Sequence, residues 1–368
     1  MSLSTFQWAQ EATWQDQVVA QNRQCRSGSN LCRDRTFEDC QVVVQNCKVQ
    51  ITKKIYNSYA TKKLNMCIAV FLWQAHPLYP LILLLNRDEY HSRPTRQLEW
   101  WEGDEILGGR DELAGGTWLA CSRDGRVAFL TNVREVQSLP EAKSRGDLPV
   151  RFLQSKKKPM EFAEEVAKEM DQYNGFNLIL IDLCCKTMVY VTNRAKEDNK
   201  FVTEVSTGIH VLTNASLDSP WPKAQRLGNS FKELLEKYGE EELPMKEMVE
   251  KLMTNTVKDD ESMLPHIFPP EREYHLSSIF VDTNSPLGPY GTRSTSALFV
   301  KATGEVGFYE RHLENELWKE QAVTYQIKES MASCTCATIT TLAKGPASPC
   351  GSHILRACAR IAATVLAT

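Results

Sequence analysis

The chain has 368 residues, 42% of them hydrophobic and 24% charged, the balance of an ordinary soluble globular protein. Its length allows two or three domains. A net charge of -3 supplies no basic stripe, so nucleic acid is excluded as an expected partner. The apolar run Leu81–Leu85 is far too short to span a bilayer and reads as a buried strand. No transmembrane segment is therefore expected, while peripheral membrane attachment stays open.

Residues 1–65 show no sustained hydrophobic period and are dominated by Gln, Asn and Arg. A secretory signal would need a continuous apolar core there, and a transit peptide would lack acids such as Glu11, Asp16, Asp34, Glu38 and Asp39. The expectation is a disordered extension, or untranslated sequence read through. From Met66 the texture becomes that of a folded domain running to about residue 329. Leu81–Leu85 is its first expected strand. Thr117–Ser122 and Val127–Thr131 form a hairpin around Arg123-Asp124-Gly125-Arg126, where an Asp-Gly pair suits positive φ. Phe176–Leu183 and Met188–Thr192 make a second pair, followed by strands at Gly208–Thr213, His275–Asp282, Ser294–Val300 and Glu305–Glu310.

Three helices interrupt the strands. One opens at Pro159, where a missing N–H costs nothing, and repeats Phe162, Val166 and Met170. A second carries Ala224, Leu227, Phe231, Leu234 and Leu235 and stops at Gly239. A third opens at Pro244 with a Met245, Met248, Val249, Leu252 and Met253 stripe, read as core filler. Hairpins with interspersed helices indicate an α+β domain of antiparallel sheets covered by helices. Residues 330–368, rich in Ala, Ser, Thr and Cys, are expected to be disordered or weakly helical.

Of the 12 cysteines, four precede residue 50 and four follow residue 330, leaving Cys67, Cys121, Cys184 and Cys185 in the domain. Their spacings match no zinc pattern, Cys334-x-Cys336 has no partner pair, and reduced thiols in the cytosol are expected. His91 and His210 have no neighbours at metal spacing, so neither a metal site nor a cofactor is expected.

Several short motifs carry possible chemistry. Met66-Cys67-Ile68 is followed by Asn86-Arg87-Asp88-Glu89 and Ser92-Arg93-Pro94. Then come Gly115-Gly116-Thr117-Trp118-Leu119, Thr131-Asn132, Tyr173-Asn174-Gly175-Phe176-Asn177, Thr213-Asn214-Ala215 and Tyr290-Gly291-Thr292-Arg293. In this order, across about 260 residues, they resemble the transport-and-Golgi-organisation protein 2 family, also called the NRDE family after the tetrapeptide at 86–89. The resemblance implies that translation of the working protein begins at Met66, directly before Cys67. It also implies a four-layer αββα sandwich similar to N-terminal-nucleophile hydrolases of the bile-salt hydrolase and penicillin V acylase type.

In such an enzyme Cys67 would supply both nucleophile and base, because an α-amine titrates near pH 7.7–8.0 and can activate a neighbouring thiol. The resemblance assigns Asp88 to orient the amine and Arg87 to hold the site electrostatically. Asn132 and Asn214 would stabilise an oxyanion, and Arg293 resembles the last active-site arginine. Plainer roles stand beside these. Cys67 fits a small buried hydrophobe, Arg87 and Asp88 an ion pair at a strand end, and Asn132 and Asn214 turn residues. Gly115-Gly116 fits a tight turn or close backbone approach. With residues 1–66 attached, the Cys67 nitrogen is locked in a peptide bond and cannot act as base.

The resemblance implies two functions. One is a cysteine amidohydrolase acting on a small amide. The other is a ligand-binding protein of Golgi organisation, secretion, or haem or lipid trafficking, cytoplasmic with Golgi or mitochondrial contact.

Overall fold

The computed structural model describes residues 66–195 and 200–328. The expectations for 1–65 and 330–368 fall outside the described residues. The chain begins with β1 (Met66–Trp73) and β2 (Leu81–Tyr90), then β3 (Thr95–Trp100), β4 (Ile106–Asp111), β5 (Leu119–Ser122) and β6 (Arg126–Asn132). Helices α1 (Asp147–Ser155) and α2 (Pro159–Lys168) follow, then β7 (Phe176–Asp182), β8 (Thr187–Thr192), β9 (Val202–Glu204) and β10 (Gly208–Leu212). Next come α3 (Pro222–Tyr238), α4 (Met245–Met248, continuing as a π-turn over Val249–Met253) and α5 (Pro270–His275). The last strands are β11 (Asp282–Ser285), β12 (Gly288–Val300), β13 (Glu305–Glu314) and β14 (Leu317–Gln326).

These make a mixed α/β fold of two antiparallel sheets. One has the order β10-β1-β2-β12-β13-β14 with β11 on β12, and the other runs β3 through β9 in sequence. Side-chain alternation divides β1 between two cores. Ala69, Phe71 and Trp73 face the second sheet, where Phe71 meets Phe129 edge-to-face at 5.5 Å. Ile68, Val70 and Leu72 face Leu227, Phe231, Met248 and Leu252 of the covering helices. On the second sheet's other face, Leu178 and Leu180 pack on Phe152, Phe162 and Val166 of α1 and α2. Because β1 and the first half of β2 are covered on both faces, Met66–Trp73 and Leu81–Leu85 read as unbroken apolar runs. β14, the end strand of its sheet among the described residues, alternates instead and carries Lys319 and Glu320, charges of the kind that discourage edge pairing.

The expected helices at Pro159 and Ala224 are present, the latter closing at Gly239, whose N–H returns to the Leu235 carbonyl at 2.9 Å. The methionine stripe packs into the core as read. Three readings differ. Met66–Trp73 is itself a strand, an eight-residue apolar run longer than Leu81–Leu85. The hairpin turn centres on Arg123-Asp124, with Gly125 alone at positive φ (+84°) and its N–H bonded to the Ser122 carbonyl. His275–Asp282 is not a strand. Leu276, Ile279 and Val281 are buried, but Ser277 and Ser278 donate to the Tyr274 and Phe280 carbonyls at 2.8 and 2.6 Å. Such local hydrogen bonds compete with a sheet ladder. Gly115 turns at φ +73°, and a Cβ on Gly116 would sit 2.4 Å from the Gly146 carbonyl oxygen, matching the turn and close-approach roles.

Candidate functional site

The antiparallel register of β1 and β2 pairs Cys67 with Arg87 and Met66 with Asp88. Cys67 and Arg87 point toward the second sheet, while Met66 and Asp88 point to the helix-covered face. Adjacent strand residues face opposite ways, so Arg87 and Asp88 do not form the ion pair the sequence allowed. Arg87 instead donates to Thr95 Oγ1 at 3.1 Å and stacks on Trp118 at 4.1 Å. Asp88 accepts from Thr292 Oγ1 at 2.7 Å, and its Oδ2 is buried with no hydrogen-bond partner.

A cavity of about 620 Å³ opens beside these strand ends, lined by Cys67, Arg87, Asp88 and Asn132 among the candidate residues. Trp118, Leu130, Leu139 and Phe268 give it apolar wall. Asn214 and Arg293 are not among its lining residues. Asn214 lies behind Asn132, spending its Nδ2–H on the Asn132 carbonyl at 2.8 Å. That amide is therefore not aimed at the cavity, although Asn214 Oδ1 is buried without a partner. Arg293 occupies a bulge of β12 and donates to the carbonyls of Tyr90 and Arg93, holding the chain that leaves β2. His210, between the Asp218 carboxylate (2.7 Å) and the Ser206 carbonyl (2.9 Å), pins the loop that carries Asn214.

Burial dominates the electrostatics. It pushes the Cys67 thiol up to about 12, and the nearby Asp88 carboxylate pushes the same way, against a smaller pull from Arg87. Asp88 is raised by burial and held back by Lys223; Lys223 is lowered by burial and by Arg134. As the chain stands, Cys67 is thus a neutral thiol whose nitrogen is in a peptide bond, with the Met66 N–H bonded to Tyr290 Oη at 2.8 Å.

Sequence reasoning missed Lys223, Arg134, Glu273 and Glu310. Lys223, Leu227 and Phe231 are spaced by four, so the lysine falls on the buried stripe of α3, a signal present in the sequence. Arg134 and Glu273 form a buried pair at 3.2 Å, brought together over 139 residues with no local signal. Glu310, on β13, accepts from the Leu98 N–H at 2.6 Å, and burial raises its carboxyl from 4.5 to about 7. A folded state that binds this proton more tightly loses stability as pH rises from the unfolded value through 7. The loss is about 3 kcal/mol. Glu310→Gln is expected to remove most of that slope in urea unfolding between pH 4 and 8; equal slopes in the two proteins would refute it.

The comparisons with known proteins agree with the motif order. A sequence model of the family Transport and Golgi organisation 2 matches residues 66–315. The mouse Transport and Golgi organization 2 homolog is 32% identical over 277 residues, covering 71% of this chain and 98% of that protein. The cattle homolog is 34% identical over 263 residues, covering 67% and 93%. Among solved structures, a variant of conjugated bile acid hydrolase from Clostridium perfringens aligns with 71% of this chain and 97% of its own at 11% identity. Its TM-score is 0.38, a level at which no chemistry transfers. By the span of the family match and the identity to these relatives, the chain belongs to the Transport and Golgi organisation 2 family.

Proposed function

We propose that the domain from Met66 to about residue 329 binds a small molecule in the cavity beside Cys67. On this reading the binding serves Golgi organisation, secretion, or haem or lipid trafficking. The protein works in the cytoplasm, with peripheral contact to Golgi or mitochondrial membranes. The observation that carries it is the pairing of a roomy, part-apolar cavity with a thiol that the surrounding fold keeps protonated. A cavity of this size is in the range of small-molecule sites, and a protonated thiol is a poor nucleophile. The names of the relatives support the cellular role, and the helix-covered outer faces of both sheets support an αββα sandwich.

A second reading, a cysteine N-terminal-nucleophile amidohydrolase, is favoured by the Cys67–Arg87 register and by Asn132 on the same cavity. In it, removal of Met66 frees the amine that the thiol needs. Asp88, with its unpartnered Oδ2, then orients that amine.

Native mass spectrometry of the protein purified from its own cells separates the two. Equal loading of a small molecule in wild type and Cys67→Ala is expected from binding. Loading that accumulates only in Cys67→Ala supports turnover, and no loading in either form sinks the binding reading.

A further inference from the structure

Two guanidinium groups on the 620 Å³ cavity make no salt bridge among the described residues. Among the described residues, Arg87 and Arg145 have no carboxylate oxygen within 4.0 Å. Arg87 has Thr95 Oγ1 and the Trp118 ring, and Arg145 donates to the Gly175 carbonyl at 2.8 Å. Every other cation on the wall is paired: Arg93 with Asp111 at 2.6 Å, Arg134 with Glu273 at 3.2 Å, and Lys143 with Glu169 at 3.4 Å. Three of the wall's four carboxylates are also committed. Glu89 and Asp111 face Arg93, Glu135 is taken by Arg194 at 2.8 Å and by the Gly175 N–H, and Asp88 sits on the other face of β2 with Thr292. Arg87 and Arg145 both line the same cavity as Cys67.

Keeping two guanidinium groups in a sheltered pocket without an anion is costly. The cost is removed when a ligand brings the anion. A guanidinium presents a planar fork that matches a carboxylate with two parallel hydrogen bonds. Trp118, Leu130, Leu139 and Phe268 offer apolar surface to the remainder of such a ligand.

We propose that the cavity selects small molecules that combine a carboxylate with an apolar body, the carboxylate being bound by Arg145 beside Arg87. This rests on the ligand-binding reading above and names the class of ligand. Arg145 is then a specificity-determining residue that composition and motif order did not mark.

The test is calorimetric titration of the full chain, at constant ionic strength, with phenylacetate, with its neutral counterpart 2-phenylethanol, and with inorganic phosphate. Phenylacetate is expected to bind about tenfold to a hundredfold more tightly than the alcohol, the range of a charge-assisted hydrogen-bond pair. Arg145→Gln should erase that preference while leaving 2-phenylethanol binding within about twofold, which also reports that the variant is folded. Phosphate binding more tightly than phenylacetate would overturn the carboxylate assignment. Equal affinity for phenylacetate and the alcohol would overturn it too, yet leave small-molecule binding standing. No binding of either organic probe would overturn the assignment and count against the cavity reading as well.

Discussion

Glu273→Ala is expected to lower the free energy of unfolding by about 3–5 kcal/mol, the cost of leaving one member of a buried ion pair alone. The side chain of Glu273 is fully buried and that of Arg134 nearly so. Glu273 also accepts the backbone N–H groups of His266, Ile267 and Phe268 at 2.7, 2.9 and 3.0 Å. The substitution therefore strands a guanidinium and three amides at once. Phe268 and Arg134 both line the cavity, so the damage falls on its wall. Urea unfolding reads the loss. The double variant Arg134→Met/Glu273→Leu should be less destabilised than the sum of the singles, because it removes both charges together. A loss below about 1 kcal/mol for Glu273→Ala would mean that water already reaches the pair.

The reactivity of Cys67 is expected to depend on whether Met66 precedes it. In the chain as described, a thiol near 12 is ionised in roughly one molecule in ten thousand at pH 8. Iodoacetamide labelling of Cys67 should then be slow and rise about tenfold per pH unit, following the thiolate population. When the chain starts at Cys67, released from an N-terminal fusion, an α-ammonium lies beside the sulfur. A neighbouring opposite charge lowers an acid by roughly 1–3 pKa units. Labelling at pH 8 should accelerate by about tenfold to a thousandfold. Cys121 is an internal control, since burial alone raises it to about 12 and no charge change occurs near it. Mass spectrometry of the two cysteine peptides gives both rates in one sample. Identical Cys67 rates with and without Met66 would remove the amine from any account of this site.

Much of the site was legible because its signals are local. The Asn86-Arg87-Asp88-Glu89 tetrapeptide, the Thr131-Asn132 strand end and Met66-Cys67 each occupy a few consecutive residues, and all touch one cavity. The hairpins and the helices at Pro159 and Ala224 were equally plain, since turn chemistry and four-residue spacing are written within a dozen residues. What failed was also local in form but ambiguous. Met66–Trp73 has no period, because a strand covered on both faces has none to show. His275–Asp282 holds a short apolar run of the kind a strand would use, yet its serines satisfy nearby carbonyls instead.

The amino-acid sequence by itself determined the family, the order of most strands and helices, and the presence of Cys67, Arg87, Asp88 and Asn132 as candidates. The tertiary structure decided which of them meet. Register put Cys67 opposite Arg87, parity turned Asp88 away from Arg87 toward Thr292, and distant segments kept Asn214 and Arg293 off the cavity wall. It also decided which charges are paired, joining Arg134 to Glu273 and leaving Arg87 and Arg145 without a carboxylate. The Arg134–Glu273 pair joins segments 139 residues apart, and periodicity carries no record of what lies across that distance.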